Sequence, residues 1–251
     1  NPKSQNPKSQ IPILMLVKTK AIVISTLKFQ EKSLIVKCFT QSHGLKSYFV
    51  RNAFSGKKNN QKIAYFQPLS ILEIEAVHKN KGTLEHFKEI KTAIPFQTIP
   101  LDIVKSTMVL FLSEILHHAI HEEEQNEDLF KYLETALQWL DTHNETSNFH
   151  LILMLEITKF LGFYPDTSDQ DLPFFEMNEG VFSLFQAISC LSEHESFLLK
   201  KLIDLRLDSD QKVFHVIERQ ILLKILIDYY SFHLDGFKKP KSLEILKEVF
   251  S

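Results

Sequence analysis

The spacing of apolar residues changes near Pro95 and Pro100, and this change divides the chain into two parts of different fold. Before it, short runs rich in β-branched and aromatic residues alternate with polar turns, a pattern typical of strands. After it, apolar residues recur every three or four positions, a pattern typical of helices that bury one face. We therefore expect an α+β protein in which the strands come first.

Five runs in the first part have the length and composition of short strands. Five strands in about 75 residues, with both faces partly apolar, favour a small closed barrel. The OB-fold is the leading candidate, and an SH3-like barrel stays open as the alternative. The runs are Val17–Leu27, Ser33–Thr40, Leu45–Arg51, Pro68–Val77 and Thr83–Thr92, the last of which could also form a short helix.

The second part predicts an all-α domain with a small hairpin insertion. The insertion lies between the third and fourth helices, where Asn178-Glu179-Gly180 separates two apolar runs. Asn126 and Ser192 are the expected N-caps of the second and fourth helices. The helical segments are 101–124, 126–140, 148–160, 192–207, 211–233 and 241–250.

The domain boundaries follow from these patterns. Residues 1–14 contain the pentapeptide Asn-Pro-Lys-Ser-Gln twice, and we interpret them as an extension before a start at Met15. Residues 15–93 then form the barrel, and residues 94–251 form the helical domain with its insertion at about 164–182. No apolar run is long enough to cross a membrane.

The formal net charge of −2 hides a strong asymmetry. Residues 1–93 hold 16 Lys and Arg against 5 Glu, a charge of +11, so residues 94–251 carry −13. A basic module fits a polyanionic partner, because each neutralised phosphate releases counterions. The charge pattern therefore favours nucleic acid as the ligand of the barrel.

Sequence motifs exclude several kinds of enzyme. Gly56-Lys57 resembles the end of a phosphate-binding loop, but the required earlier glycine is replaced by Arg51 and the following Ser or Thr by Lys58. No nucleophile elbow and no dinucleotide-binding fingerprint is present. We expect no catalytic residues and no cofactor.

Metal binding has weak support. Glu114, His117 and His121 lie on one side of the first helix, which would suit a metalloenzyme, but the His-Glu-x-x-His order is absent. We interpret them as a solvated helix face. Cys38 and Cys190 are too few for a disulfide framework or a four-cysteine zinc site. Their number favours a reducing compartment.

Basic side chains cluster along the third strand and the loop that follows it. Single-strand binders combine such cations with aromatic stacking platforms. For Phe49 and Phe66 we expect core packing instead. The cations are Lys46, Arg51, Lys57, Lys58 and Lys62, and the interleaved aromatic residues are Tyr48, Phe54, Tyr65 and Phe66.

The order of elements resembles the RecO family of bacterial recombination mediator proteins from Met15 to Phe250. Asn52 stands where the family often has Gly, and Asn also tolerates a left-handed backbone. The order and spacing of the matching segments together make the resemblance specific. The matching segments are Thr40…Gly44, Arg51–Lys58, Gln67–Leu69, Asn126…Phe130, Leu161–Pro165 and the tail His233…Gly236…Lys239…Leu243.

The resemblance implies a non-enzymatic, cytoplasmic and nucleoid-associated mediator that is a monomer on its own. It would bind single- and double-stranded DNA, anneal strands and, with RecR, load RecA onto DNA coated by single-stranded-DNA-binding protein. A generic OB-fold RNA-binding accessory factor is the alternative. The implied DNA-contacting residues are Arg51, Lys57 and Lys58, with Lys46 and Lys62 as neighbours. Candidates for binding the acidic tail of the single-stranded-DNA-binding protein are Lys200, Lys201 and Arg206, or Lys238, Lys239 and Lys241.

One departure from the family concerns zinc. Many relatives place Cys-x-x-Cys pairs where this chain has residues 166–171, and no cysteine lies between Tyr164 and Cys190. A structural zinc site needs about four Cys or His ligands. We therefore predict no zinc, and we expect the hairpin around Gly180 to stabilise this region instead.

Overall fold

The computed structural model describes residues 15–54, 63–79, 84–121, 125–209 and 213–250. Its first part contains five strands, as predicted, and the fifth segment is a strand rather than a helix. The sequence did not predict the 3-10 helix Ala64–Phe66 before the fourth strand. The strands are β1 (Met15–Phe29), β2 (Ser33–Thr40), β3 (Gly44–Val50), β4 (Ile71–His78) and β5 (His86–Ile94).

The five strands close into a small barrel. They are antiparallel in the order β3-β2-β1-β4-β5, so β3 and β5 are the sheet edges. The edges meet because the Phe49 amide donates to the Glu85 carbonyl, and the Glu85 amide donates to the Ser47 carbonyl, each at 2.8 Å. This short parallel bridge removes the open edges where it forms. The prediction of an OB-fold barrel is confirmed.

Alternate residues of each strand fill the barrel interior. On β3 the inward residue is Tyr48, which is fully buried. Its hydroxyl lies 2.8 Å from His78 Nε2, and its ring stacks on Phe87 with centroids 4.1 Å apart. Phe66 is in the same core, as predicted. The prediction that Tyr48 is a platform for base stacking is therefore wrong.

Six helices follow the barrel within the described residues. Their bounds agree with the predicted segments to within a few residues at most ends. None of them is long and apolar enough to cross a membrane. They are α1 (Ile103–Ala119), α2 (Glu127–Thr142), α3 (Phe149–Leu161), α4 (Glu193–Asp204), α5 (Val216–His233) and α6 (Leu243–Val249).

The predicted helix ends are confirmed by their capping contacts. The Asn126 side chain accepts from the Leu129 amide at 2.9 Å. Ser192 and Glu195 form a capping box at the start of α4. Gly162 ends α3 with a φ of 84°, a left-handed conformation that glycine adopts without steric cost. These three ends were predicted correctly, whereas α1 ends at Ala119 rather than at 124 and α5 begins at Val216 rather than at 211.

The insertion is a two-stranded hairpin, β6 (Phe174–Glu176) and β7 (Val181–Ser183), as predicted. Phe175 and Phe182 are buried in the helical core. Gly180 turns the chain at a φ of 70°, and a Cβ there would lie 2.5 Å from the Tyr229 hydroxyl. Cys190 lies in the loop that follows β7.

The middle of the barrel's outer side packs on the helical domain. Ile22, Phe39 and Leu45 belong to the same apolar core as α1 and α2. The Phe39 and Phe130 rings lie 6.0 Å apart. This docking leaves two other parts of the barrel exterior exposed.

The segment between barrel and helices is fixed by Asp141 of α2. Its carboxylate accepts from the backbone amides of Gln97, Thr98 and Ile99 at 2.8–3.0 Å. The buried Lys105 ammonium donates to the Thr98 hydroxyl at 2.7 Å. The predicted linker is therefore tied to the helical domain rather than free.

Candidate nucleic-acid interface

One exposed part of the barrel carries lysines whose charges are neutralised. It is the outer side of β1, β4 and β5, here called the paired face, and it bears Lys18, Lys88 and Lys91. Lys18 lies 3.4 Å from Glu75, which also contacts Lys88, and Lys91 lies 2.8 Å from Glu89. These ion pairs leave little net charge for phosphates.

The other exposed part is called the open surface. It comprises the outward-facing residues at the end of β1, the start of β2 and the end of β3, together with the barrel end beside them. Glu31 is the single acid between residues 15 and 54. No described carboxylate lies within 4 Å of Lys28, Lys32 or Arg51. The open surface is formed by Leu27, Lys28, Phe29, Lys32, Ile35, Phe49, Arg51 and Phe54.

Strand register brings the apolar members of the open surface into one row. Leu27 pairs with Ile35, and Ile35 pairs with Phe49, so all three share the outer side of the sheet. Leu27 is 64% exposed and Phe29 is 38% exposed. Exposing such an apolar row to water costs free energy, which a ligand covering the row would recover.

Aromatic rings and cations alternate on this surface. The Phe29 and Phe49 rings lie 5.9 Å apart at 84°. The Arg51 guanidinium lies 6.0 Å from the Phe49 centroid, and the Lys28 ammonium lies 5.5 Å from the Phe54 centroid. Arg51 and Phe49 also line a groove of about 430 Å³ between β3 and β5. Proteins that bind single-stranded nucleic acid combine cations and aromatic rings in this way.

The structure separates the cations that the sequence had grouped. Arg51 belongs to the open surface. Lys46 lies opposite the buried Cys38, on the other face of β3. Its charge helps to lower the pKa of His43, after the larger effect of burial. Lys46 and Arg51 therefore do not form one site, and Lys57, Lys58 and Lys62 lie outside the described residues.

The predicted tail-binding residues have intramolecular contacts. Lys200 donates to the Leu172 carbonyl at 2.7 Å, and Lys201 donates to the Val213 carbonyl at 3.3 Å. Both line a cleft beside the exposed Phe197. Arg206 instead donates to carbonyls at the end of its own helix. Lys200 and Lys201 therefore share a site that Arg206 does not line.

The possible metal ligands on α1 serve packing. Glu114 accepts from the Ser242 amide at 3.1 Å, and His117 Nδ1 lies 3.0 Å from the Ser25 hydroxyl. These contacts join α1 to α6 and to β1. The part of the chain that the structure describes contains no group of three His, Cys, Asp or Glu side chains that could hold a metal.

Sequence reasoning missed Phe29 and Phe49 as surface residues. The alternation on β3 correctly placed Tyr48 and Phe49 on opposite faces. It could not indicate which face points inward, because both faces of the strand carry apolar side chains. One signal was available. Arg51 stands two positions after Phe49, so both side chains lie on the same side of the strand, and the charge of Arg51 indicates that this side faces solvent.

Comparison with known protein families covers both parts of the fold. Residues 15–96 match the family described as Recombination protein O N terminal. Residues 100–244 match Recombination protein O C terminal. The chain belongs to the RecO family. Together the two matches cover the barrel and nearly all of the helical domain.

Curated RecO sequences are similar over their whole length. The chain is 76% identical to DNA repair protein RecO of Flavobacterium johnsoniae over 237 residues, which are 94% of this chain and 100% of the relative. It is 72% identical to the protein of that name from Flavobacterium psychrophilum and 41% identical to that from Christiangramia forsetii, with the same coverage.

Proposed function

We propose that this chain is a non-enzymatic recombination mediator in DNA repair that binds single- and double-stranded DNA and anneals complementary strands. Family membership and the name of its relatives support a role in DNA repair. In this proposal residues 15–93 bind DNA, and residues 94–251 dock partners. The protein acts in the cytoplasm, at the nucleoid.

The distribution of carboxylates around the barrel is the observation that carries the proposal. Lys28, Lys32 and Arg51 have no described carboxylate within 4 Å, whereas Lys18 and Lys91 each have one. Cations without ion pairs neutralise phosphates at the lowest cost, since no existing pair must be broken. DNA should therefore lie on the open surface.

Annealing follows from the same electrostatics. Two strands repel each other through their phosphates, and a cationic surface that binds both reduces this repulsion. The helical domain, at −13 for residues 94–251, would repel DNA and so confine it to the barrel. No covalent bond is made or broken, so annealing in this proposal needs no nucleotide hydrolysis.

The helical domain would supply the protein contacts. We propose that the cleft at Lys200 and Lys201 takes the acidic tail of the single-stranded-DNA-binding protein, with Phe197 offering an apolar contact. With RecR, the complex would then load RecA onto coated DNA. Titrating the chain with the tail peptide tests this part, and K200E/K201E should weaken binding. Unchanged binding by that variant would exclude the cleft.

Annealing of complementary oligonucleotides at several salt concentrations tests the central proposal. The variant Lys28→Glu/Arg51→Glu removes two phosphate contacts. The slope of log affinity for single strands against log salt should then fall by about 1.4, at about 0.7 per contact. The annealing rate should fall by at least about tenfold at moderate salt.

The matched control is Lys18→Glu/Lys91→Glu, which makes the same change in formal charge on the paired face. It should anneal at close to the parent rate. Equal losses in both variants would show that only total charge matters, and parent-like annealing by Lys28→Glu/Arg51→Glu would place the DNA elsewhere. Tighter binding of an RNA strand than of the matching DNA strand would favour an RNA-binding role instead.

A further inference from the structure

The aromatic members of the open surface are not explained by packing. Phe29 and Phe54 are each 38% exposed, although β1, which carries Phe29, and the turn that carries Phe54 both have a side that is buried. Phe49 lies outside both the barrel core and the core shared with the helices. These rings therefore add little to the stability of the fold while they expose apolar area to water.

Their geometry leaves ring faces accessible. The Phe29 and Phe49 planes are nearly perpendicular, at 84°. An edge-to-face pair covers at most one ring face. Phe49 also contacts the His86 ring at 73°, with centroids 6.2 Å apart, and has Arg51 beside it. Phe29 and Phe54 therefore offer more open ring area to a flat partner than Phe49 does. The groove between β3 and β5 continues this surface, with Tyr65 and His86 beside Phe49, and it ends at Lys88 and Glu89 of the paired face.

The surrounding charges select the kind of partner. The Arg51 guanidinium lies 6.0 Å from the Phe49 centroid, and the Lys28 ammonium lies 5.5 Å from that of Phe54. A ligand that stacks on these rings would carry its anionic groups next to a cation. Flat uncharged rings joined by phosphates have this chemistry, which is that of a nucleic-acid strand.

Only unpaired bases can use the rings. In a duplex the base faces are stacked on each other, and exposing one costs a few kcal/mol. We propose that Phe29, Phe49 and Phe54 stack on unpaired bases, so that the open surface prefers single strands and releases them once they pair. This inference rests on the proposed function, since it assumes that DNA lies on the open surface.

The proposal gives annealing a direction. Phosphate contacts from Arg51 and Lys28 hold single strands and duplex alike. The stacking contribution is present for the two separate strands and absent for the duplex product. The loss of stacking on pairing would therefore weaken the hold on the product and free the surface for another pair of strands.

The test compares an oligo-dT strand with an abasic strand of the same length and with a duplex. The wild-type chain should bind oligo-dT at least about tenfold more tightly than the abasic strand, since one stacked base alone contributes ~1–3 kcal/mol. The variant Phe29→Leu/Phe49→Leu keeps apolar bulk but removes the rings. It should lose most of the preference for oligo-dT over the abasic strand, and Phe54 should supply what remains.

The same variant should bind the abasic strand and the duplex with wild-type affinity. Phe232→Leu, at a ring that is 54% exposed on α5, is the matched control and should change none of the three affinities. Thermal unfolding of both variants within a few degrees of the parent would establish that the fold is kept. If the double variant unfolds earlier, Phe49→Leu alone is measured.

The outcomes separate the two proposals. Equal loss of affinity for oligo-dT and the abasic strand would overturn stacking while leaving DNA binding in place. Unchanged affinity for oligo-dT would overturn it as well, and would leave the rings as a protein-docking surface. If the wild type binds none of the three ligands, the proposed function itself fails.

Discussion

The paired face and the open surface lie on one barrel and carry similar numbers of cations, yet they differ in their carboxylates. On the paired face Lys18, Lys88 and Lys91 all contact a glutamate. On the open surface Lys28 and Arg51 contact aromatic rings instead. The charge of +11 for residues 1–93 does not reveal this difference, because the position of the acids decides where phosphates can bind.

The largest expected effect concerns the two sides of β3. Tyr48→Ala removes a buried ring from the barrel core and leaves His78 without its hydroxyl partner. It should lower the free energy of unfolding by roughly 3–5 kcal/mol. Phe49→Ala, one residue later and on the open surface, should cost about 1 kcal/mol. Urea denaturation of both variants measures this.

The two substitutions also differ in their effect on DNA binding. Phe49→Ala should weaken binding to single strands in a chain that is still folded, whereas Tyr48→Ala should change binding only as far as it unfolds the barrel. Similar stabilities of the two variants would contradict the assignment of inner and outer faces.

The next effect concerns the segment that joins the barrel to the helical domain. Asp141→Asn weakens the hydrogen bonds that tie the linker to α2 and should cost about 1–3 kcal/mol. Burial raises the pKa of the Asp141 carboxyl, but three backbone amides and the Thr98 hydroxyl outweigh burial and hold the pKa below its usual range. A lowered pKa in the folded state stabilises the fold above the usual carboxyl pKa, and this contribution disappears as the pH falls through the folded value.

Unfolding measurements between neutral and acidic pH check this prediction. The parent should lose stability in acid more steeply than Asp141→Asn, because the variant has no carboxylate to protonate at this site. Parallel curves for the two proteins would show that Asp141 contributes no proton-linked stability.

The smallest effect comes from removing an acid from the paired face. Glu75→Gln leaves Lys18 and Lys88 without their shared partner, and it should raise the affinity for duplex DNA by about twofold at low salt. A filter-binding or anisotropy titration measures this, with Glu244→Gln on α6 as a control outside the barrel. No gain, or the same gain in both variants, would contradict the role given to Glu75.

Much of the fold could be predicted because its signals are local. Alternation in β1 to β4, the caps at Asn126 and Ser192, and Gly162 after α3 each depend on a few neighbouring residues. Asn52 adopts a φ of 54°, as expected for a residue that replaces glycine in a turn. The tie between Asp141 and residues 97–99 was not predictable, because it joins segments more than 40 residues apart.

The site was predicted less well than the fold. Arg51 was identified from composition, whereas Lys46 was grouped with it although an odd spacing on a strand places two residues on opposite faces. The exchange of roles between Tyr48 and Phe49 has the same origin. Which side of β3 is inward depends on how the barrel closes onto β5 and docks on the helices, and both are long-range contacts.

The most direct test of the central claim is the protection of lysines by bound DNA. Acetylation with a water-soluble reagent, followed by mass spectrometry, compares Lys28 and Lys32 on the open surface with Lys18 and Lys91 on the paired face, all four exposed in the free chain. Saturation with oligo-dT should protect Lys28 and Lys32 and leave Lys18 and Lys91 reactive. Protection of Lys18 and Lys91 alone, or equal protection of all four, would contradict the assignment of DNA to the open surface.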